Sequence, residues 1–189
     1  MGLLRKNYNK YQTGGLQHLL ASQIRQEVGD QIFNSYFKFT IVRNPWDRIV
    51  SQYVYMSARD DLRAFIGMSQ GDSLKRYLEL IGRTKHVQWE KQVAFVQDTN
   101  GSLLVDYVGR FEQFSDSVAH ILRTLGIPSC SLPHKRRGDR GPYHEYYDDE
   151  SREMVASMFS EDIASFGYSF EAAQRPVPAT NKNDEGIVK

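Results

Sequence analysis

A single segment, residues 37–56, constrains the fold of this chain more than any other part of the sequence. It opens with FKFTIV, a mostly aromatic and β-branched run that predicts a short buried strand. The triplet Arg43-Asn44-Pro45 ends this strand, and residues 47–56 predict a helix with Pro45 near its first turn. Because ligands of open α/β sheets bind beyond the carboxyl ends of strands, this strand–turn–helix unit predicts a binding site at the turn.

The rest of the chain alternates between predicted helices and predicted strands. Apolar residues at helical spacing predict helices over residues 16–28, 72–81, 115–125 and 148–166. Strands are predicted over 92–96 and 103–107, on either side of a turn signal at 98–101. This alternation indicates an α/β domain over residues 16–170 with a mainly parallel sheet. Residues 1–15 are predicted to be an irregular lead-in, and residues 171–189 a flexible tail.

The composition excludes several classes of protein. Of the 189 residues, 40% are hydrophobic, which is enough to form the core of one domain. A formal net charge of +1 argues against a globally basic nucleic-acid-binding protein. The single cysteine, Cys130, excludes an intrachain disulfide and a multi-cysteine metal site. The sequence also lacks the apolar runs of a membrane span or a signal peptide, so we expect a soluble, cytoplasmic protein.

The turn after the first predicted strand carries the residue types of a phosphate receptor. Arg43 stands at the strand end, and Ser51 lies two helical turns further along. An arginine fork and a hydroxyl together bind phosphate well, and Arg48 is a third possible donor. In the alternative interpretation, Arg43 forms an ion pair with Asp47 and Ser51 is a surface residue of the helix. The spacing alone leaves both interpretations open.

Residues 39–53, FTIVRNPWDRIVSQY, resemble the 3′-phosphate-binding motif of sulfotransferases that use 3′-phosphoadenosine-5′-phosphosulfate. Arg43 matches the arginine of that motif and Ser51 its serine. Further segments resemble the carbohydrate-type branch of the family in the right order, among them DYVGRFEQF, LPHKRRGDRGPYHEYYDDESREMV and residues 162–168. The resemblance covers residues 16–170.

The resemblance implies a P-loop-NTPase-like three-layer α/β domain that transfers a sulfuryl group from this donor to a hydroxyl. The implied acceptor is a carbohydrate or a similar molecule, and no metal is required. Residues 135–140, KRRGDR, form a basic loop. In this loop, the resemblance matches Arg137 and Gly138 to a basic and a small residue near the nucleotide 3′-phosphate. There Gly138 would let a main-chain N–H approach the anion, and Arg137 would neutralise it. The alternative for this loop is a solvated run of charge.

Sulfuryl transfer needs a general base for the acceptor proton. The first candidate is His18, which stands near the position where several relatives have a histidine. The second is His86, in the stretch before Gln92 that often faces the acceptor in the family. Either histidine could instead be a surface or packing residue.

Three further features have less direct roles. Glu112 is predicted to be structural, bonding main-chain N–H groups or pairing with Arg110. Trp46 could stack on adenine, although a tryptophan beside such a turn more often packs. Tyrosines 143, 146 and 147 either line an acceptor cleft or cover the core.

One part of the family pattern has no counterpart in this sequence. Relatives hold the 5′-phosphosulfate in a Lys-Thr-Gly-Thr-like loop upstream of the arginine–serine motif, and no such strand and loop precede Arg43 here. A GxxxxGK[ST] phosphate loop is also absent, which disfavours an NTPase. We therefore expect an N-terminally shortened domain and, through its uncovered sheet edge, a possible homo-oligomer.

This departure keeps two other functions open. The first is a non-catalytic protein that binds 3′-phosphonucleotides and lacks the sulfuryl-transfer loop. The second is a protein that binds nucleic acid through the basic loop 135–140, although the near-zero net charge counts against it.

Overall fold

The computed structural model describes residues 18–129 and 140–171. Within them, two strands form a parallel sheet: β1 (Phe39–Val42) and β2 (Tyr107–Arg110). The register pairs Phe39 with Tyr107 and Val42 with Arg110, so both strands end at the same level. The residues that follow the two strands therefore emerge side by side.

Helices surround this sheet in the described part of the chain. Their bounds are α1 (Ala21–Val28), α2 (Asp30–Ser35), α3 (Pro45–Ser57), α4 (Asp60–Ile66), α5 (Leu74–Arg83), α6 (Phe114–Thr124), α7 (Asp149–Met158) and α8 (Ser160–Phe166). Short 3₁₀ turns occupy Val87–Trp89, Val93–Phe95, Phe111–Gln113 and Tyr143–Tyr146. The result is a mixed α/β structure with a small parallel sheet and many helices. A three-layer P-loop arrangement and the boundaries of a domain over residues 16–170 remain predictions.

Helix α3 is the central packing element. Its inner face buries Trp46, Ile49 and Val50 against α5 and α7, where Tyr77 and Phe159 are almost fully enclosed. Each such side chain removed from water contributes roughly 1.5–3 kcal/mol. A smaller cluster lies against the sheet and is formed by Val42, Val93, Val96, Phe166 and Tyr168. The two clusters hold the start of α3 against the end of β1.

The predicted strand–turn–helix unit is confirmed. The strand occupies 39–42 of the predicted 37–42, and Pro45 is the first residue of α3. Asn44 caps this helix, because its Oδ1 atom accepts a hydrogen bond of 3.0 Å from the Trp46 N–H. Proline suits this position since its missing N–H would have no partner in the first turn.

The two strands predicted over 92–96 and 103–107 are wrong. The first segment forms the 3₁₀ turn Val93–Phe95, and the second makes only an isolated antiparallel bridge, Gln97 to Leu103. The reason is a buried carboxylate: Asp162 accepts the N–H groups of Gln92 and Val93 at 2.9 and 2.8 Å. Those N–H groups are therefore unavailable to a sheet ladder. The second strand of the sheet begins only at Tyr107.

The helices differ from their predictions in number and length. The helix predicted over 148–166 breaks at Phe159, which ends α7 and precedes α8. Phe159 is 2% exposed, and its burial fixes a non-helical main chain at the break. Helices α2 and α4, which lie in segments without predicted structure, are additional. None of the helices in residues 18–129 and 140–171 has the length and apolar character needed to span a bilayer.

Candidate functional site

The carboxyl ends of the two strands bring an arginine and an aromatic ring together. Arg43 follows β1 directly, and Phe111 follows β2 directly. The Arg43 guanidinium carbon lies 4.4 Å from the centre of the Phe111 ring, a cation–π contact. Phe111 is 47% exposed, so the ring keeps a face open to solvent. This edge of the sheet offers a cation and a flat apolar surface side by side.

Asp47 lies between two arginines at this edge. Arg43 Nε is 2.6 Å from Asp47 Oδ2, and Arg140 Nη2 bonds the other carboxylate oxygen. All three side chains are about one-fifth exposed or less. The ion pair between Arg43 and Asp47, one of the two interpretations of the sequence, is therefore present. The cluster still carries one net positive charge, which can attract an anion from its open side.

Ser51 lies on the same face of α3 as Asp47, one helical turn further on. It is half-buried, and no hydrogen bond to its hydroxyl is found among the described residues. Arg43, Asp47 and Ser51 thus follow one another at four-residue intervals. Arg43 is bound to Asp47, and Asp47 and Ser51 lie one turn apart on α3.

The turn between β1 and α3 is held by side chains from distant parts of the chain. The Gln92 carboxamide bonds the main chain of Arg43 twice, each time at 2.9 Å. Glu112 Oε1 accepts the Asn44 N–H at 2.6 Å, and its other oxygen accepts a hydrogen bond of 3.2 Å from the Tyr168 hydroxyl. The structural role predicted for Glu112 is confirmed.

Arg48 faces the protein interior. Its Nη2 atom donates to the carbonyl oxygens of Gln88 and Glu90 at 2.9 and 2.8 Å. Nη1 lies 3.9 Å from the fully buried Asp162, and burial lowers the pKa of this guanidinium. Arg48 therefore braces the segment before Gln92 instead of reaching toward the open edge of the sheet.

The aromatic residues near the turn pack. Trp46 is 4% exposed, donates its indole N–H to the carbonyl of Arg152 at 3.0 Å, and meets Phe170 edge-on at 5.7 Å.

The Tyr147 hydroxyl donates to the Trp46 carbonyl at 2.9 Å. Burial raises the pKa of this hydroxyl well above its usual range. Tyr143 and Tyr146 also pack against the main core. Trp46 is thus a core residue, and the three tyrosines cover the core.

A second feature is an open cavity of about 650 Å³ beside the chain that leads to Gln92. Four of its lining residues carry basic side chains: Arg83, Lys85, His86 and Lys91. Lys91 is paired with Glu161 at 2.5 Å. With Lys91 paired and Glu90 also in the lining, Arg83 and Lys85 leave the cavity with a small excess of positive charge, and its last lining residue of this segment, Lys91, directly precedes Gln92.

His86, one of the two histidines predicted as candidate bases, lines this cavity, and the other, His18, is near enough for its charge to act on the His86 ring. The His86 ring lies between Phe65 and Trp89, at 5.3 and 5.0 Å, and its Nδ1 atom accepts the Gln88 N–H at 3.2 Å. Burial lowers the pKa of His86, and the nearby charge of His18 lowers it further. Since Nδ1 is an acceptor, the proton of neutral His86 sits on Nε2. In this tautomer His86 is a donor toward the cavity.

Sequence reasoning missed part of this arrangement. The sequence assigns no site role to Phe111 or Gln92, because neither residue belongs to a local binding motif. Asp47 was considered only as a competitor for Arg43, and Arg140 only as one of several loop cations. Arg137 and Gly138 lie outside the described residues. Within the residues that the structure covers, no group of three or more histidine, cysteine or acidic side chains could hold a metal ion.

The sequence matches known proteins over most of its length. A family model described as "Sulfotransferase family" matches residues 4–169. An uncharacterized protein of Archaeoglobus fulgidus is 26% identical over 113 residues, which make up 57% of this chain and 82% of that protein. No solved structure gives a significant match.

Proposed function

The chain belongs to the sulfotransferase family, and from this premise we propose that it transfers a sulfuryl group from 3′-phosphoadenosine-5′-phosphosulfate to a hydroxyl. The acceptor oxygen forms a bond to sulfur while the bond from sulfur to the 5′-phosphate oxygen breaks. The acceptor proton passes to a base, and adenosine 3′,5′-bisphosphate leaves. The observation that carries this proposal is the pairing of Arg43 with Phe111 at the carboxyl end of the sheet.

In this proposal the nucleotide 3′-phosphate binds between Arg43 and Ser51. The phosphate oxygens take over bonds that Arg43 now shares with Asp47, because a dianion binds a guanidinium more strongly than one carboxylate does. The serine hydroxyl, one turn beyond Asp47, donates to the same phosphate. Arg137 and Gly138 precede Arg140 by three and two positions in the sequence, and we propose them as further phosphate ligands.

The exposed face of Phe111 is the proposed platform for the adenine ring. The same ring contacts the Arg43 guanidinium, whose central carbon lies 4.4 Å from the ring centre, so Phe111 lies close to the phosphate-binding group. An aromatic face that is half open to solvent stacks on a purine at little desolvation cost. Trp46 is buried and hydrogen-bonded to the Arg152 carbonyl, so we propose that adenine stacks on Phe111 and not on Trp46.

The acceptor is proposed to bind in the basic cavity. Arg83 and Lys85 suit an acceptor that carries negative charge, and the resemblance of several segments to the carbohydrate-type branch favours a saccharide. We propose a saccharide for this reason. His18 is the proposed general base, and His86, protonated on Nε2, is the proposed donor that orients the acceptor.

Nucleotide selectivity and transfer together test this function. Calorimetry should show that adenosine 3′,5′-bisphosphate binds and that adenosine 5′-monophosphate binds at least tenfold more weakly, since losing one charge-assisted contact costs roughly 1.5–3 kcal/mol. A labelled phosphosulfate donor mixed with saccharide acceptors should then yield labelled saccharide. Equal affinity for the two nucleotides would contradict the site assignment.

A non-catalytic 3′-phosphonucleotide-binding protein is the second candidate function. The observation that favours it is that Arg43, directly after β1, and Arg140 both pair with Asp47 beside the proposed 3′-phosphate position. Binding of the bisphosphate without any transfer from the labelled donor would identify this function.

A further inference from the structure

The main chain of Arg43 is fixed at the edge of β1 that faces away from β2. The Lys38 carbonyl accepts the Tyr107 N–H at 3.1 Å, so the main-chain groups of Lys38 face β2. Because these groups alternate along a strand, those of Arg43 face the opposite edge. There the Gln92 carboxamide accepts the Arg43 N–H and donates to the Arg43 carbonyl, both at 2.9 Å. One side chain thus makes the two bonds that a paired residue of a neighbouring strand would make.

Gln92 is fixed in turn by Asp162. The carboxylate is fully buried, and its two oxygens accept the main-chain N–H groups of Gln92 and Val93 at 2.9 and 2.8 Å. The Gln92 Nε2 atom is also 3.4 Å from Oδ2. Arg48 lies 3.9 Å away and supplies the balancing charge. Asp162 therefore determines both where the Gln92 main chain lies and how its side chain approaches β1.

Neither Gln92 nor Asp162 belongs to the set of groups that would touch the nucleotide. Their side-chain hydrogen bonds go to the main chain of Arg43, to the main chain of Val93 and to each other, and none goes to the Arg43 guanidinium. Their effect on a ligand must therefore pass through the position of Arg43. A displacement of about 1 Å in such a group lowers binding and catalysis sharply.

We propose that Asp162 and Gln92 are positioning residues that set the place of the Arg43 guanidinium for the nucleotide 3′-phosphate, an inference that rests on the proposed function. Asp162 orients Gln92, Gln92 makes two hydrogen bonds to the Arg43 main chain, and the Arg43 side chain is thereby held where it meets Asp47 and the Phe111 ring. The selectivity for a 3′-phosphate is then set partly by a carboxylate that lies in the core.

Affinity measurements on Gln92→Leu and Gln92→Glu test this proposal. Leucine at position 92 removes both hydrogen bonds to the Arg43 main chain. Glutamate keeps an oxygen that can accept the Arg43 N–H, but it has no N–H to donate to the Arg43 carbonyl. We expect at least a tenfold weaker binding of adenosine 3′,5′-bisphosphate in Gln92→Leu and at least as large a loss in Gln92→Glu, where a carboxylate oxygen would face the Arg43 carbonyl and the Asp162 carboxylate. Affinity for adenosine 5′-monophosphate should change less than twofold in both variants. Gln26→Leu, at an exposed position of α1, is the matched control.

The ratio of the two affinities separates positioning from a general structural role. If Gln92 had only a structural role, its replacement would lower the melting temperature, but the folded variant would keep the wild-type ratio of bisphosphate to monophosphate affinity. That result would overturn the proposal. Loss of cooperative unfolding in both variants would overturn it as well. If wild type does not distinguish the two nucleotides, the proposed function itself is wrong. If wild type distinguishes them and Gln92→Leu does so equally well, only the positioning role is wrong.

Discussion

The Arg43 Nε atom and the Asp47 Oδ2 atom lie 2.6 Å apart, and this ion pair spans the boundary between β1 and α3. Asp47 also bonds Arg140, so one carboxylate occupies the two arginines at the proposed 3′-phosphate site. A bound phosphate must compete with this carboxylate. The pair thus keeps Arg43 ordered before the nucleotide arrives and weakens the binding that follows.

Replacing Asp47 with asparagine should tighten nucleotide binding. Asparagine keeps an oxygen for the Arg43 N–H and removes one negative charge at about 6 Å from the phosphate. At an effective dielectric constant of about 20–80, that charge is worth roughly 0.7–2.8 kcal/mol. Calorimetry with adenosine 3′,5′-bisphosphate should therefore show an affinity at least about threefold higher than that of wild type. Weaker binding would show that the carboxylate serves mainly to orient Arg43.

Replacing Arg43 with alanine should abolish measurable binding of adenosine 3′,5′-bisphosphate. The change removes the main cation of the site and the contact with Phe111. Arg76→Ala is the matched control, because Arg76 likewise pairs with a carboxylate close by in the sequence, Glu79 at 2.8 Å. Binding that survives in Arg43→Ala and not in the control would move the phosphate site elsewhere.

Replacing His18 with alanine should separate binding from chemistry. Nucleotide affinity should stay within twofold of wild type, while turnover of the labelled donor should fall by about 10²- to 10⁴-fold, as expected for loss of a general base. His86→Gln keeps a side-chain donor and should lower turnover less. Wild-type turnover in His18→Ala would assign the base to another residue, with His86 the next to test.

The acid stability of the protein should depend on His86. Burial lowers the pKa of this imidazole in the folded state, so the unfolded chain binds more protons near and below its usual pKa of about 6.5. The free energy of unfolding must therefore decrease as the pH falls from about 7 through 6.5 and below. Urea unfolding between pH 5 and pH 7.5 should show a shallower decrease in His86→Gln. Gln26→Leu, which changes an exposed residue without a titratable group, should retain the wild-type slope.

The edge of β1 that faces away from β2 should promote association. Within the described residues, the main-chain groups of Phe39 and Ile41 at this edge have no hydrogen-bond partner, and Phe39 is 46% exposed. Unpaired strand edges with apolar side chains pair readily with other chains. We expect concentration-dependent association in sedimentation velocity, and less of it in Phe39→Lys, where a charge opposes edge pairing. A monomer at all concentrations would contradict this expectation.

Much of the region around Arg43 follows from local sequence. The β-branched run before Arg43 predicts β1, and Asn44 and Pro45 mark the start of α3. The spacing of the apolar residues identifies the buried face of this helix. These features depend on residues within one or two turns of each other. Side-chain periodicity and capping therefore suffice to predict them. The family resemblance, which rests on the same continuous segments, is confirmed by the match over residues 4–169.

Tertiary structure alone decided how the site is held. Asp162 reaches Gln92 across 70 positions, Gln92 reaches Arg43 across 49, and Arg140 reaches Asp47 across 93. The sequence of 92–96 favours a strand, yet the buried carboxylate takes two of its N–H groups and makes it a 3₁₀ turn. No local pattern records such a contact, because a buried charge must be satisfied by whichever main-chain groups the packed helices bring to it.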